Sequence, residues 1–143
     1  MIDPAVHPAT DADTADIVAL EEMSRAVLVD QRGGPRWLAT HPPHSGVAGP
    51  GGRVWVASID DVIVGYLVAR LDADVARILD VFVQPEAREL GFGDELLASA
   101  IAAFRESGAR LLEGEALPGD RDTKNLYERA GIKARLITVS TPL

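Results

Sequence analysis

The chain has 143 residues, of which 47% are hydrophobic and 25% charged, so its composition predicts a globular protein built as a single domain over residues 1–143. It contains no cysteine, which excludes disulfides, zinc sites built on thiolates and a cysteine nucleophile. The formal net charge of −8 leaves no basic face for a nucleic acid partner, whereas an acidic surface either attracts a cationic substrate such as an amine or serves solubility alone.

The N-terminal segment, MIDPAVHPATDADTADIV, is acidic and has no basic stretch ahead of an apolar one. It therefore does not have the pattern of a signal peptide. No apolar run in the chain approaches the roughly 18 to 20 residues that span a bilayer. Together with the absence of cysteine, these features predict a cytoplasmic protein with no membrane partner.

Helical spacing of apolar residues begins close to the N-terminus. Side chains at three- and four-residue intervals predict a helix over residues 13–30, and they are Ile17, Leu20, Met23, Val27 and Leu28. A second, short helix is predicted over residues 35–39. The glycine- and proline-rich stretch that follows predicts a loop over residues 41–52.

Three strands rich in valine and isoleucine are predicted next. They cover residues 53–60, 61–72 and 76–83, and Asp60 and Asp61 suit a tight hairpin turn between the first two. Because the connections are short, these strands form an antiparallel meander.

Helices and strands alternate in the rest of the chain. An apolar stripe predicts a helix over residues 93–107, and a strand over 109–117, a helix over 122–130 and a final strand over 134–140 follow. The long helix leaves room for a parallel crossover between the strands on either side of it. The predicted fold class is therefore α/β (mixed α+β), with a central mixed sheet and helices packed on its faces.

The segment RELGFGDELL, residues 88–97, joins the third meander strand to the long helix. A dinucleotide fingerprint is excluded because Leu96 stands where a third glycine is required, and the P-loop pattern is absent. A helix N-terminus remains, whose free backbone N–H groups are open to an anion such as a pyrophosphate. A plain glycine turn with Asp94 and Glu95 stabilising the helix start fits the local chemistry equally well.

The wider stretch LDVFVQPEARELGFGDELL resembles the acyl-CoA-binding motif of the GNAT superfamily, the acyl-CoA-dependent N-acetyltransferases. In that family a strand carrying V-x-P precedes R/Q-x-x-G-x-G/A and a helix that begins with paired leucines. The residues in register here are Val83, Pro85, Arg88, Gly91, Gly93, Leu96 and Leu97. Downstream, KNLYERAGI is similar to the family's l-Y-e-k-x-G-F segment, with Tyr127 and Gly131 in place. The layout agrees over residues 10–140, and residues 79–132 contain the specific motifs.

The resemblance implies a GNAT fold with splayed strands at the acyl-CoA site, acetyl-CoA as co-substrate, no metal, and N-acetyl transfer to an amine of a small molecule or protein. It also implies that backbone N–H groups of residues 81–83 polarise the thioester carbonyl. The cofactor-binding residues that it implies are Val81, Phe82, Val83, Arg88, Glu89, Leu90, Gly91, Phe92, Gly93 and Asp94.

Two residues are expected to be catalytic. Tyr127 matches the family's general acid, which protonates the departing thiolate, although a core tyrosine at a helix end has the same pattern. Asp80 interrupts an otherwise apolar strand, and this suggests a base with a raised pKa. A structural hydrogen-bond acceptor explains Asp80 equally well, and Glu113, Glu115 or a water chain are alternative bases.

The acceptor amine is expected between the first helices and the loop that follows them. The candidates to line its site are Arg32, Arg36, Trp37, His41 and His44. The two histidines have no third ligand at useful spacing, so no metal site is predicted.

Three departures from the family pattern favour an alternative, a catalytically weak or inactive acyl-CoA-binding module. Glu89 lies where the pyrophosphate is expected, and Asp120 replaces a frequent asparagine seven residues before the tyrosine. Only twelve residues follow Gly131, whereas most members have two strands there. The acceptor side is therefore either trimmed or completed by a partner subunit, which suggests a homodimer or an interaction subunit.

Overall fold

The computed structural model describes residues 5–45 and 51–143 as strands and helices arranged about a single five-stranded sheet. In chain order the elements are β1 (Ala5–Pro8), α1 (Thr14–Leu28), α2 (Gly34–Thr40), β2 (Gly52–Ile59), β3 (Val62–Asp72), β4 (Val75–Val83), α3 (Phe92–Glu106), β5 (Leu111–Gly114) and α4 (Arg121–Arg129). Short 3-10 helices at Asp11–Asp13 and Pro85–Ala87 precede α1 and α3. Of the predicted loop over residues 41–52, residues 46–50 lie outside the described residues.

The strands lie side by side in their chain order, from β1 to β5. Every neighbouring pair is antiparallel except β4 and β5, which are parallel because α3 forms the crossover between them. The prediction of a mixed sheet with an antiparallel meander is confirmed. None of the helices among the described residues is long and apolar enough to cross a bilayer.

The hairpin between β2 and β3 turns at the two predicted aspartates. Asp60 and Asp61 have φ angles of 49° and 65°, and the two-residue turn favoured in hairpins requires positive φ at both positions. Aspartate tolerates this conformation better than most residues because its short side chain bonds locally to the backbone. The predicted tight hairpin turn at Asp60 and Asp61 is therefore confirmed.

Hydrophobic side chains cover both faces of the sheet. On one face, α3 and α4 pack over alternate strand residues such as Trp55 and Leu67. On the opposite face, α1 buries Ile17 and Leu20 against the neighbouring strand residue Tyr66. The prediction of helices on both faces of the sheet is confirmed.

One strand escaped prediction. β1 is only four residues long, and it pairs with β2 through a register that sets Val6 opposite Ala57. Its sequence, AVHP, is too short to show a two-residue alternation, and a proline ends it. Its conformation comes from pairing with β2 and not from a pattern of its own.

The predicted final strand is wrong. Residues 134–140 form no strand, and Leu136, Ile137 and Val139 are 80% to 90% exposed. Residues with strand propensity form a strand only where a neighbouring strand offers an edge for pairing. β5 is also shorter than the predicted nine residues, because the chain leaves β4 after Gly114. Residues 134–140 therefore have strand-forming side chains but no hydrogen-bonded neighbour among the described residues.

Candidate active site

The cavity of interest opens where β4 and β5 separate. The two strands pair only from Val75–Ile78 to Leu111–Gly114, and beyond these pairs they diverge. The space between residues 78–83 and residues 115–117 is a cavity of about 650 Å³, bordered by the start of α3, by α4 and by α1. The expected splay of the strands is thus present.

Most of the predicted site residues line this cavity. They are Asp80, Val81, Phe82, Val83, Arg88, Glu89, Gly91, Phe92, Gly93, Asp94 and Tyr127. Leu90 does not line it, because the positive φ angles of Glu89 and Gly91 on either side turn this loop outward, and its side chain is 40% exposed. The residues singled out by the sequence motifs, apart from Leu90, thus border one cavity, and their roles remain predictions.

Of the residues expected to line the site of the acceptor amine, most lie outside the cavity. Trp37 and Glu115 line the cavity, whereas Arg32, Arg36, His41 and His44 lie outside its lining. His41 instead stacks on Trp37, with ring centroids 4.5 Å apart. Glu113 is held at the surface by Arg77, 2.8 Å away, and so lies away from the cavity.

One face of α1 also lines the cavity, which the sequence analysis did not predict. The lining residues on this face are Ser24, Val27 and Leu28, and Gln31, three residues beyond the end of the helix, joins them. The three- to four-residue spacing of these positions is a signal, but the same spacing also describes an ordinary core face. Among the described residues, Gln31 Oε1 is a buried side-chain oxygen without a hydrogen-bond partner.

A β-bulge in β4 determines which way Asp80 faces. Ala69 pairs with Ile78 and Val68 pairs with Asp80, so Leu79 is an extra residue without a partner in β3. Ile78 packs on the α3 side of the sheet, whereas Leu79 and Phe82 pack on the α1 side. Asp80 pairs with Val68 and so lies on the α1 side, where it lines the cavity.

Asp80 is both a structural acceptor and accessible from the cavity. The Tyr66 hydroxyl donates a 2.6 Å hydrogen bond to Asp80 Oδ2. Burial raises the pKa of Asp80 above its ordinary value, and the hydrogen bond from Tyr66 and the nearby His44 counteract this only in part. The two interpretations left open by the sequence are therefore compatible with each other.

Behind Asp80 lies Glu21, a buried carboxylate that no sequence pattern indicated. Glu21 is only 3% exposed, and its two oxygens accept hydrogen bonds from the backbone N–H groups of His44, at 2.8 Å, and Ser45, at 2.9 Å. A carboxylate oxygen of Glu21, a ring nitrogen of His44 and a carboxylate oxygen of Asp80 all lie within 4.8 Å of one another. Sequence spacing around His44 could not reveal these neighbours, because they come from α1 and β4.

Tyr127 projects from α4 into the gap between the strands. Its side chain is almost fully buried, and its hydroxyl lies against Gly114, the last residue of β5. Burial raises the pKa of Tyr127 above its ordinary value of 10, and the carboxylates of Asp80, Asp120 and Glu115 add to the effect. The phenol therefore keeps its proton across the ordinary pH range.

The glycine loop ends in an open helix N-terminus. Gly91 caps α3 with a φ of 90° and provides no side-chain cap, so the first N–H groups of the helix lack partners within it. Arg88 is held in place, because its Nε donates to the Val83 carbonyl at 2.9 Å and its Nη1 to Asp122 at 3.0 Å. Glu89 is exposed at the same wall of the cavity.

Comparison with known proteins agrees with this arrangement. Residues 20–132 match a family model described as the acetyltransferase (GNAT) family. No curated protein matches the chain.

Several solved structures have the same fold. A tetramutant of the BH1408 protein from Bacillus halodurans has a TM-score of 0.78 at 19% identity, over 97% of this chain and 99% of that one. The aminoglycoside acetyltransferase meta-AAC0020, from an uncultured soil metagenomic sample and solved with trehalose, has a TM-score of 0.73 at 17% identity, over 98% and 96%. AAC(6')-Iy with the bisubstrate analogue CoA-S-monomethyl-acetylneamine has a TM-score of 0.70 at 16% identity, over 99% of both chains. At such identities the likeness concerns the fold.

Proposed function

The chain belongs to the acetyltransferase (GNAT) family, and we propose that it transfers the acetyl group of acetyl-CoA directly to an amine of a small molecule or protein. One observation supports this most strongly. The cavity between β4 and β5 is lined by the open N-terminus of α3, by Asp80 and by Tyr127. The groups that we propose as anion site, base and acid therefore face the same space.

The α3 end of the cavity suits the pyrophosphate of acetyl-CoA. The free N–H groups at Phe92, Gly93 and Asp94 and the positive end of the helix dipole attract an anion. Gly91 and Gly93 have no side chain that would keep a phosphate away from the backbone. A CoA-containing ligand bound to a protein of the same fold, AAC(6')-Iy, supports this assignment.

The edge of β4 suits the pantetheine arm. Beyond Ile78 this edge is not paired with β5, so its backbone groups, apart from the Val83 carbonyl bound by Arg88, are open to an extended ligand in place of a strand. Backbone N–H groups of residues 81–83 are then available to polarise the thioester carbonyl. The side chains of Val81 and Val83 still pack in the core, so one strand serves both purposes.

The α1 side of the cavity suits the acceptor amine. Trp37 provides an apolar surface, and Gln31 Oε1 provides an unpaired acceptor for an amine or hydroxyl hydrogen. Asp80 lies at the junction of this wall and β4, so an amine that reaches it also meets the thioester.

In the proposed reaction, Asp80 accepts a proton and Tyr127 donates one. Asp80 takes one proton from the acceptor ammonium, and the neutral nitrogen attacks the thioester carbonyl carbon. The C–N bond forms, and the C–S bond breaks as the tetrahedral intermediate collapses. The sulfur takes the phenolic proton of Tyr127, and the second proton of the nitrogen restores the phenol. The products are the N-acetylated amine and CoA, with one proton left on Asp80.

The raised pKa values suit these roles. A carboxyl with a raised pKa is a stronger base once ionised, which helps Asp80 to deprotonate an ammonium. A tyrosine with a raised pKa is a weaker acid, but it stays protonated across the ordinary pH range and so has a proton available when the thiolate leaves. It also recovers its proton readily after each turnover.

A direct assay tests the proposal. The protein is incubated with acetyl-CoA and a panel of small amines and peptides, and thiol release is measured together with the mass of the acetylated product. We expect at least one amine to release thiol and gain an acetyl group. Thiol release that does not depend on any amine would contradict the proposal.

A catalytically weak or inactive acyl-CoA-binding module is the second candidate. It is favoured by the acidic character of the phosphate end, where Glu89 lines the cavity and Asp122 binds the guanidinium of Arg88. Thermal stabilisation by acetyl-CoA without thiol release would support this module, and no stabilisation by CoA would contradict both candidates. The cytoplasmic location and the homodimer remain predictions.

A further inference from the structure

Two titratable groups behind the cavity wall, Glu21 and His44, have no part in the reaction described above. Both lie on the α1 side of the sheet, close to the proposed base Asp80. Neither belongs to the glycine loop or to the Tyr127 segment.

Glu21 holds His44 in place. A buried carboxylate is costly unless its oxygens are hydrogen-bonded, and both oxygens of Glu21 accept backbone N–H groups from residues 44 and 45. Ser45 adopts a left-handed conformation, with φ of 55°, at this junction. The segment after α2 is thus tied to α1 at the point where it passes Asp80.

The separation between these groups suits proton transfer through water. The nearest ring nitrogen of His44 and the carboxylate oxygens of Glu21 and Asp80 lie within 4.8 Å of one another, a distance that one bridging water spans. The Tyr66 hydroxyl already occupies Asp80 Oδ2, which leaves the other oxygen and the remaining lone pairs for exchange.

Asp80 faces titratable groups on four elements or segments: Tyr66 on β3, Tyr127 on α4, Glu21 on α1 and His44 on the segment after α2. Burial raises the pKa of both tyrosines above the ordinary value, so both phenols stay protonated and neither can accept the proton that Asp80 must lose. Glu21 is enclosed, whereas His44 is only half-buried and its neighbours His41–Pro43 and Ser45 are exposed. Histidine is also the side chain that ordinarily exchanges protons near neutral pH.

We propose that His44 is the proton outlet of the active site, a positioning residue that acts through Asp80 and touches neither substrate. After each transfer the O–H bond on Asp80 breaks and an N–H bond forms on the neutral imidazole through the bridging water. The imidazolium then releases that proton to solvent, and both groups return to their starting forms. This inference rests on the proposed function.

The first test combines His44→Gln with chemical rescue. Glutamine keeps a polar side chain of similar reach but does not bind a proton, so we expect kcat to fall roughly 10- to 100-fold in weak buffer. The KM for acetyl-CoA should stay unchanged. The limb of the pH profile between about pH 5 and 8, where histidines titrate, should disappear, and added imidazole should restore the rate. A pH profile identical to that of the wild type, or a loss that imidazole does not restore, would overturn the inference.

A second measurement does not depend on turnover. The His44 ring is titrated by NMR in the wild type and in Asp80→Asn, which removes the charge but keeps the shape. We expect the titration midpoint of His44 to move to lower pH in the variant, because a nearby negative charge favours the imidazolium. An unchanged midpoint would overturn the inference even if the enzyme is active.

Two controls distinguish the proton outlet from a cation site and from a protein without acetyltransferase activity. A chelator that abolishes the activity of the wild type but has no effect on His44→Gln would show that Glu21, His44 and Asp80 bind a divalent cation. The proton outlet would then be wrong. If the wild type acetylates no amine, the proposed function fails and the outlet fails with it. If the wild type is active but the His44 midpoint is the same in Asp80→Asn, the proton outlet is wrong and the proposed function stands.

Discussion

The side chain of Tyr127 occupies the space that a Cβ atom at Gly114 would need. A Cβ built at Gly114 would lie 2.7 Å from Cζ of Tyr127, much closer than a van der Waals contact. Gly114 is the last residue of β5, so the strand ends in a residue that allows the phenol to enter the gap between the strands. The position of the proposed acid thus depends on a missing side chain on a different element.

Gly114→Ala should therefore lower kcat roughly 100-fold, because the new methyl group displaces the phenol from the sulfur by about 1 Å. Thiol release under saturating acetyl-CoA measures the effect. Gly119→Ala is a matched control, since the nearest atom to its new Cβ is the backbone nitrogen of Arg32 at 3.7 Å. Full activity of Gly114→Ala would mean that the position of the phenol does not matter.

Tyr127→Phe should lower kcat by about 10² or more and leave the KM for acetyl-CoA and the melting temperature nearly unchanged. The ring still fills the gap, and only the proton donor is lost. Because the pKa of Tyr127 lies above its ordinary value, the wild-type rate should also show no fall between pH 8 and about pH 10 from ionisation of this residue. A variant that turns over at the wild-type rate would exclude Tyr127 as the acid.

Asp80→Asn should lower activity and at the same time raise stability at neutral pH. The folded pKa of Asp80 is raised, so the folded protein favours the protonated form and the wild type loses stability as the pH rises above the ordinary value of 3.8. Asparagine has no such loss and can still accept the hydrogen bond from Tyr66. We expect the variant to gain on the order of 1 kcal/mol in unfolding free energy at pH 7.

Denaturant unfolding at several pH values measures this difference. The gain should shrink as the pH falls toward 3.8 and vanish below it, where the wild-type carboxyl is protonated in both the folded and the unfolded state. A variant that is less stable than the wild type at pH 7 would show that Asp80 serves the fold first and that its ionised form is well compensated.

Glu89→Gln should bind CoA roughly two- to fivefold more tightly, because it removes an exposed negative charge from the wall that faces the phosphates. Isothermal titration at low and high salt measures the change, which should diminish as salt screens the charge. Glu86→Gln is the control, since Glu86 is exposed nearby but does not line the cavity. Equal affinities for Glu89→Gln and the wild type would show that the Glu89 carboxylate turns away from the ligand.

Local patterns explain how much of this structure was predictable. The hairpin at Asp60 and Asp61, the meander and the apolar stripe of α3 all depend on residues close in sequence, and they were predicted correctly. The motifs around Gly91 and Tyr127 led to the cavity because their spacing is fixed by one strand, one loop and one helix.

Features that depend on distant partners could not be predicted in this way. The neighbourhood of Glu21 and His44 arises only when α1, the segment after α2 and β4 come together. Residues 134–140 have the side chains of a strand, but a strand also needs an edge with which to pair. The extra residue Leu79 is as apolar as its neighbours, so no residue type marks the bulge.

The β-bulge at Leu79 affects both the stability of the sheet and the width of the cavity. An extra residue bends a strand, and Leu79 comes directly after Ile78, where the pairing of β4 with β5 ends. We expect a β4 without Leu79 to run straighter, which would favour backbone pairing with residues 115–117 and so a more stable sheet. The same change would narrow the cavity in which we propose that the thioester binds.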